Sequence, residues 1–396
     1  MKQETVLFAR QAILDSQYKI YAFQLLLAHK SLHQKSEVSA ILTSLFLDLP
    51  IDSVTEHKPI FIDIDIQNIQ SVPALPINNI IICFHATRYE IQEAAPFLQN
   101  LLLGGYQFGL INPDVEALTE EELAFFRYIK LSAESYGMTN LVEYANSQKL
   151  NKLHFIITDL CIKQQLDKIT KLTKINLFSG DLLNIREDVK GNKVPVYKTL
   201  VSKVLMLIDS PLVNLGDIAA TIETDSTVSY KIIKLTKSAM YYRNFNITNV
   251  QRALEVIGLR DLAKWFGMAL LTSVDGKPDC LYRMAISRAF FTQSLATLLC
   301  PKTEGAFITG LFSYLPVFFN ENMENLLKDL PLTAEMNEAL MHHNGLLGKI
   351  LNVVCLYESG QWHNISFSGF DNKKLNKEKL KDMYIDSLNK TRELKF

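Results

Sequence analysis

The chain has 396 residues, of which 48% are hydrophobic and 21% are charged. This length is two to three times that of a typical domain of about 150 residues, so two domains are expected, and the composition excludes a disordered or fibrous protein. Lys and Arg total 41 against 42 Asp and Glu. With no overall positive field to attract a polyanion, nucleic acid is not the expected partner.

The sequence carries no sign of export or of membrane insertion. Residues 1–10 lack the basic and apolar pattern of a signal peptide. The most apolar stretches, around residues 42–49 and 311–319, are far shorter than the about 20 residues that cross a bilayer. A cytoplasmic protein is therefore expected. The cysteines form no C-x-x-C pair and are expected to be buried thiols rather than zinc ligands or disulfides; they are Cys83, Cys161, Cys280, Cys300 and Cys355.

The first half of the chain alternates between predicted strands and helices. A hairpin is predicted from residues 6–14 and 19–27. One-sided helices are predicted at residues 37–49 and 90–103, because their apolar residues recur at helical spacing. Short apolar runs between helices are typical of a parallel sheet covered by helices, as in an α/β layer or a barrel. These runs lie at residues 59–66, 79–86, 106–112, 127–132, 153–158 and 174–178.

The pattern changes after residue 183. Residues 184–195 are charged and contain Gly191 and Pro195, so a linker is predicted there. Residues 1–183 then form an α/β domain, and residues 196–396 form an all-helical domain. Thr248 and Gln251 have the spacing of a capping box, which predicts a helix that continues through Leu271. The basic residues 373–381 are interpreted as a solvated helix face rather than as a nucleic-acid patch.

Few residues suggest chemistry directly. The sequence contains no dinucleotide, P-loop, zinc-protease or hydrolase motif. His342 and His343 are adjacent, so on a helix they diverge by about 100° and cannot easily share a metal ion. Asp63 and Asp65 lie on one face of a predicted strand and could chelate an ion or act as an acid–base pair. Two carboxylates are fewer ligands than a hard divalent ion prefers, so a polar structural role is favoured.

Four segments nevertheless resemble known families. Residues 6–28, VLFARQAILDSQYKIYAFQLLLA, resemble the start of EAL domains. Residues 211–220 (PLVNLGDIAA), 232–240 (IIKLTKSAM) and 247–260 (ITNVQRALEVIGLR) resemble an HDOD domain, and the last of these is the most specific. The resemblance implies a modified (β/α) barrel of EAL type followed by an all-helical HDOD domain. It also implies descent from enzymes that hydrolyse cyclic di-GMP with two divalent metal ions.

The resemblance places several family positions on the strand ends of the barrel. The Glu of the signature tripeptide corresponds to Gln24, and the phosphate-gripping Arg corresponds to Ala28. The Asn of the second barrel strand corresponds to Asp63, and the Glu of the third corresponds to Cys83. The family Lys is retained as Lys130. An amide or a thiol does not replace the negative charge of a carboxylate, so the metal cage is expected to be lost.

The remaining family positions also lack the carboxylates that would bind metal ions. The paired Asp-Asp of the family corresponds to Ile111 and Asn112, and the Asp that follows the Lys becomes Ser132. The later Glu and Gln fall near Thr158 and Ser179. No catalytic residue, metal ion or cofactor is therefore expected in the barrel. Lys130 without carboxylate partners is interpreted as a strand-end lysine that serves packing or solubility.

The second half gives the same expectation. HDOD domains are related to metal-dependent HD phosphohydrolases, whose His-Asp dyad corresponds to Ser313 and Tyr314. The expected function is thus a non-catalytic signalling or adaptor protein that acts through contacts with another protein, including a component of a cyclic di-GMP pathway. The alternatives are a cyclic di-GMP receptor that does not hydrolyse its ligand and, as a third hypothesis, an active phosphodiesterase or other enzyme. Ala28 argues against the receptor, because Arg is favoured for bidentate phosphate recognition.

Overall fold

The structure is a computed structural model. It describes residues 7–28, 55–75, 79–160, 169–171, 173, 175–180, 196–208, 214–236, 249–272, 277–301, 303–319, 321–328, 330, 332–366 and 375–394. The predicted helix 37–49, the predicted linker 184–195 and Cys161 lie outside the described residues.

Eight strands form a closed barrel in chain order. The predicted hairpin and the six predicted runs all correspond to strands. The hairpin and the closing pair of the last strand with the first are antiparallel, and the other neighbours are parallel. The strands are β1 (Phe8–Asp15), β2 (Ile20–Leu27), β3 (Ile60–Asp65), β4 (Ile80–His85), β5 (Gln107–Ile111), β6 (Tyr128–Ser132), β7 (His154–Thr158) and β8 (Leu177–Ser179).

Helices lie between the barrel strands. The first α-helix is capped by Thr87 and Glu90 in a reciprocal capping box, and it buries Ile91, Ala94 and Leu98, the stripe expected from the sequence. The α-helices of this region are α1 (Arg88–Leu103), α2 (Glu120–Leu123) and α3 (Ala133–Asn146), with 3-10 helices at Ile66–Ala74 and Gln148–Leu150.

The described part of the chain after residue 195 is helical, as predicted. Its α-helices are α4 (Val196–Ile208), α5 (Leu215–Glu223), α6 (Ser226–Leu235), α7 (Val250–Ile257), α8 (Leu259–Thr272), α9 (Asp279–Leu299), α10 (Ala306–Phe312), α11 (Leu315–Phe319), α12 (Met323–Lys328), α13 (Ala334–His342), α14 (Gly345–Glu358) and α15 (Lys377–Glu393), with a 3-10 helix at Trp362–Asn364. None of the described helices is long and apolar enough to span a membrane.

The predicted helix from residue 248 to Leu271 is wrong in two details. Its N-cap is Asn249, whose side chain accepts a hydrogen bond from the backbone N–H of Arg252. The helix also ends at Ile257, because Gly258 adopts a φ of 78°, and α8 then begins as a separate helix. Glycine reaches this conformation without the steric penalty of a side chain.

The chain divides into two compact units. The barrel unit comprises Met1–Ile185 together with the C-terminal segment, Val353–Phe396, and the helical unit comprises Arg186–Asn352. The helical domain predicted from the sequence, residues 196–396, includes this C-terminal segment. In the structure the hydroxyl of Tyr384 on α15 accepts a hydrogen bond from the backbone N–H of Arg10 at 3.2 Å, and its ring meets that of Phe8 at 5.8 Å. The C-terminal segment thus completes the barrel unit.

Candidate functional site

Alternate residues of the barrel strands point into the barrel. The lower part of this interior is an apolar cluster, in which Phe61 and Tyr128 meet edge to face at 5.0 Å. Its buried members are Ile13, Ala22, Phe61, Ile81, Cys83, Ile111, Tyr128, Ile156 and Leu177. Of the positions named from the EAL resemblance, Cys83 and Ile111 belong to this cluster.

Four of these positions meet at the centre of the barrel. Asp63 and Cys83 are register partners on neighbouring strands. Lys130, from the opposite side, donates hydrogen bonds to the carboxylate of Asp63 and to the side-chain oxygen of Gln24. Cys83 also lies close enough to Lys130 to interact with it electrostatically. We call Gln24, Asp63, Cys83 and Lys130 the central cluster.

The ammonium of Lys130 is almost completely buried, at 4% exposure. It lies 5.5 Å from the centre of the Phe61 ring, within cation–π distance. Burial alone would lower the pKa of Lys130, but the ion pair and hydrogen bond with the Asp63 carboxylate act in the opposite direction, and the net shift is upward. Lys130 is therefore charged at neutral pH, and the expectation that it lacks a carboxylate partner is wrong.

The thiol of Cys83 is fully buried. Burial raises the pKa of Cys83 to about 12, although the nearby charge of Lys130 acts in the opposite direction. The group is thus a neutral thiol at neutral pH. Because metal ions bind the thiolate, Cys83 is not a prepared metal ligand.

The other predicted positions are used for local structure. Asn112 follows β5 with a φ of 46°, and its side-chain oxygen accepts a hydrogen bond from the backbone N–H of Ser132 at 2.8 Å. The hydroxyl of Ser132 in turn accepts from the backbone N–H of Ser135 and so caps α3. Ile111 is buried among apolar neighbours. These residues hold the β5 and β6 ends together rather than facing a ligand.

Three further positions lie apart from the central cluster. Thr158 donates its hydroxyl hydrogen to the carboxylate of Asp159 at 3.0 Å. Ser179 donates to the side-chain oxygen of Gln11 at 3.3 Å. Ala28 contributes only a backbone N–H, which donates to the carbonyl of Leu7 at 3.2 Å.

A pocket of about 230 Å³ opens above Gln24 and Asp63. Its walls combine the carboxyl ends of β2, β3 and β4 with a turn of the C-terminal segment. That turn includes Gly360, which has a φ of 74° and lies just after the end of α14. The lining residues are Gln24, Leu25, Leu26, Leu27, Asp63, Ile64, Asp65, His85, Ser359, Gly360 and Trp362.

Sequence reasoning missed the C-terminal part of this pocket. Leu380, Tyr384 and Leu388 recur at the spacing of a one-sided helix, and all three are buried. An apolar stripe of that kind predicts that one face of the helix is buried, but it does not identify the part of the protein that the face contacts. Asp65 is exposed at the rim, beside its register partner His85.

The EAL resemblance implies two divalent metal ions at this end of the barrel, and the donor set here does not fit them. The central cluster offers one carboxylate, one amide oxygen and one neutral thiol, and its carboxylate is paired with an ammonium. Divalent ions of this kind prefer several oxygen ligands. Within the part of the chain that the structure describes, no group of three or more His, Cys, Asp or Glu side chains could hold a metal ion.

In the helical unit, the two positions assigned to the former His-Asp dyad are packed into the protein. Ser313 donates to the carbonyl of Gly310 at 2.7 Å and accepts from Arg288 at 3.1 Å. Tyr314 is 2% exposed, and the Arg288 guanidinium lies 4.1 Å from its ring centre. His342 and His343 end α13, where His343 takes a left-handed conformation with a φ of 55°.

Comparison with known proteins agrees with this architecture. Residues 194–343 match the family model of the HDOD domain. This match ends before the C-terminal segment begins, which is consistent with the packing of that segment in the barrel unit.

Two related proteins extend over most of the chain. The uncharacterized protein YuxH of Bacillus subtilis is 22% identical over 420 residues and covers 97% of both chains. The cyclic di-GMP phosphodiesterase CdgJ of Vibrio cholerae is 21% identical over 296 residues, which is 74% of this chain and 68% of CdgJ. Among solved structures, an EAL domain protein from Listeria monocytogenes is 14% identical with a TM-score of 0.35, covering 44% of this chain and 85% of that one.

The closed barrel at the start of the chain, the HDOD domain matched behind it and the relatives that align over most of its length make the chain similar to EAL–HDOD signalling proteins.

Proposed function

We propose that this protein is a non-catalytic member of a signalling system related to cyclic di-GMP, and that it acts by binding another protein. The observation that carries the proposal is the central cluster. Where metal-dependent hydrolysis needs several carboxylates, this barrel has the ion pair of Lys130 and Asp63 with the amide of Gln24. Without a metal ion to activate water, phosphodiester hydrolysis has no nucleophile at this site.

The relation to cyclic di-GMP rests on CdgJ, a cyclic di-GMP phosphodiesterase that shares 296 aligned residues with this chain. A protein that has kept the scaffold and lost the chemistry can still respond to its surroundings, provided that its surfaces bind partners. The exposed apolar side chains of α1 are candidates for such a surface, namely Tyr89, Phe97 and Leu103.

A hydrolysis assay tests the loss of catalysis. Full-length protein is incubated with cyclic di-GMP and Mg²⁺ or Mn²⁺, and linear product is measured by chromatography beside an active EAL phosphodiesterase. No turnover above a heat-inactivated control is expected. The Gln24→Glu variant is also expected to be inactive, because one added carboxylate does not assemble a two-metal site. Metal-dependent turnover by either protein contradicts the proposal.

The second candidate function is a cyclic di-GMP receptor that does not hydrolyse its ligand. The pocket of about 230 Å³ at the strand ends favours it, whereas Ala28 at the position of the phosphate-binding Arg disfavours it. Calorimetric titration with cyclic di-GMP distinguishes the two functions. Saturable binding without turnover establishes the receptor, and the absence of binding leaves the protein-binding function.

The protein-binding function is tested by tagging the full chain and identifying proteins that copurify from the native host. The double variant Tyr89→Ser, Leu103→Ser removes two side chains that are 73% and 83% exposed. Glu93→Ala on the same helix, also exposed, is the matched control. A partner that is lost with the double variant and kept with the control places the contact on α1.

A further inference from the structure

The central cluster contains a complete charge pair at the place where the resemblance puts metal ligands. Lys130 carries one positive charge and Asp63 one negative charge, and the two are in direct contact. Gln24 and the neutral thiol of Cys83 add no charge. The charges of these four side chains therefore sum to zero without any bound ion.

We infer that the ammonium of Lys130 is a built-in cation that takes the place of divalent metal ions at the centre of the barrel. This inference deepens the proposed loss of catalysis and rests on it. It goes further, because it identifies what now balances the remaining carboxylate and predicts that the barrel neither needs nor accepts a divalent ion.

The contacts of Lys130 fix its ammonium in position. It reaches Asp63 and Gln24 across the barrel, 106 residues from Gln24 in sequence. The ring of Phe61 lies 5.5 Å from it. The amide group of Gln24 is oriented by its own hydrogen bond to the Leu25 carbonyl at 3.3 Å, so that its oxygen faces the ammonium. A charged group held in this way cannot easily leave to admit another cation.

Electrostatics make the exclusion specific. A divalent ion that bound Asp63 would lie within a few ångströms of the ammonium, and like charges at about 4 Å repel strongly wherever water does not screen them. Lys130 is 5% exposed at its side chain, whereas Asp63 is 40% exposed towards the pocket. Water therefore screens the ion pair at the carboxylate of Asp63 but not at the ammonium of Lys130.

The first test needs only the wild-type full chain. Thermal unfolding is measured with EDTA and with Mg²⁺, Mn²⁺ or Ca²⁺ over a concentration series. The expected shift of Tm is less than about 1 °C, since an ion that does not bind the native state cannot stabilise it. A Tm that rises with ion concentration, and stops doing so in Asp63→Asn, overturns the inference.

The second test is a double-mutant cycle in thermal stability. Lys130→Met leaves the carboxylate without its counter-ion and is expected to lower Tm by roughly 5–10 °C. Asp63→Asn is expected to lower it less, because Asp63 is partly solvated. In the double variant the loss should be smaller than the sum of the two single losses. Strictly additive losses overturn the inference.

A third measurement covers the case in which Lys130→Met does not fold. An amine-reactive reagent is applied to native wild-type protein, and the labelled peptides are quantified by mass spectrometry. Lys58 and Lys379 are exposed and should react, whereas the buried Lys130 should not. Labelling of Lys130 at the rate of Lys58 overturns the inference. Hydrolysis of cyclic di-GMP would instead refute the proposed function, so the two failures are distinguishable.

Discussion

The centre of the barrel and the position assigned to the His-Asp dyad in the helical unit differ in the side-chain contacts that they contain. In the barrel, the buried ammonium of Lys130 pairs with the partly exposed carboxylate of Asp63. In the helical unit, Tyr314 is packed under the Arg288 guanidinium and Ser313 is tied to the backbone of its own helix. One position holds a pair of opposite charges, and the other is a packed aromatic contact. The two positions therefore differ in kind, since one carries an ion pair and the other an aromatic contact.

This difference can be measured separately in each unit, because the chain has two tryptophans, one in each unit. Trp265 on α8 belongs to the helical unit and Trp362 to the barrel unit. The Trp265→Phe background then reports unfolding of the barrel unit, and the Trp362→Phe background reports unfolding of the helical unit. A two-unit chain need not unfold in a single transition, so separate reporters are required.

The largest expected effect is alkaline destabilisation of the barrel unit. The pKa values of Cys83, Tyr136 and Tyr384 are raised to about 12, in each case chiefly by burial. The folded form holds these protons above the pH at which the unfolded chain releases them, so stability falls as pH rises from about 9 towards 12. Cys83 alone should lower the free energy of unfolding by roughly 2–3 kcal/mol by pH 11.

Urea titrations at pH 8, 9, 10 and 11 in the Trp265→Phe background check this prediction. Cys83→Ala should flatten the dependence on pH, whereas Cys300→Ala, in the helical unit, should leave it unchanged. An alkaline dependence that is identical in the Cys83→Ala variant would contradict the assignment to that thiol.

The next effect concerns packing in the helical unit. Tyr314→Ala removes a side chain that is 2% exposed and takes away the ring beneath Arg288. Truncation of a buried aromatic side chain typically lowers stability by about 3–5 kcal/mol. The Trp362→Phe background should report this loss by urea denaturation. Tyr314→Phe keeps the ring and is expected to lose much less; an equal loss would place the effect in the hydroxyl.

A smaller effect is expected from a close approach inside the barrel. A Cβ atom added at Gly109 would lie 2.7 Å from the Cys83 sulfur and 3.2 Å from the Tyr128 Cβ. Gly109→Ala should therefore lower the stability of the barrel unit by about 1–3 kcal/mol. Cys83→Ala removes the nearer obstacle, so the double variant should recover part of the loss. If the double variant is no more stable than Gly109→Ala, the added Cβ is opposed by Tyr128 or by the backbone rather than by the Cys83 sulfur.

The sequence predicted the barrel strands because apolar runs such as Ile80–Phe84 between one-sided helices leave few other folds. It did not predict that Lys130 meets Asp63 and Gln24. These residues are brought together by closure of the sheet, and only the family resemblance placed them on one site. From residue types alone, Lys130 was as consistent with solvent as with the interior.

Two misjudged details have simple physical reasons. Thr248 and Asn249 are both good N-cap residues, so composition could not decide between them, and Asn249 caps the helix. The described part of residues 353–396 contains helices, as does the helical unit that precedes it. Helical periodicity carries no information about the surface that a stripe covers. The contact of Tyr384 with Phe8 connects elements more than 370 residues apart in sequence, which no local pattern records.

The smallest effect lies at the acid end of the pH range, again in the barrel unit. Glu122 accepts a hydrogen bond from the backbone N–H of Thr119, and its other oxygen accepts from Arg88 at 3.0 Å and from Gln92. These contacts, the Thr119 bond first, lower the pKa of Glu122 to about 2. A carboxylate whose pKa is lowered by folding stabilises the protein above about pH 4.5, and that contribution is lost as pH falls towards 2.

Glu122→Gln preserves the shape of the side chain and removes its charge. The variant should lose about 1 kcal/mol at pH 7, the usual size of a capping contribution, and should match the wild type near pH 2. Urea titrations of the barrel unit at both pH values provide the measurement. Glu93→Gln, exposed on α1, is the control and should change neither value. A loss that persists unchanged at pH 2 would mean that Glu122 contributes through packing, and the barrel unit would then owe its sensitivity to pH to buried thiols and phenols rather than to carboxylates.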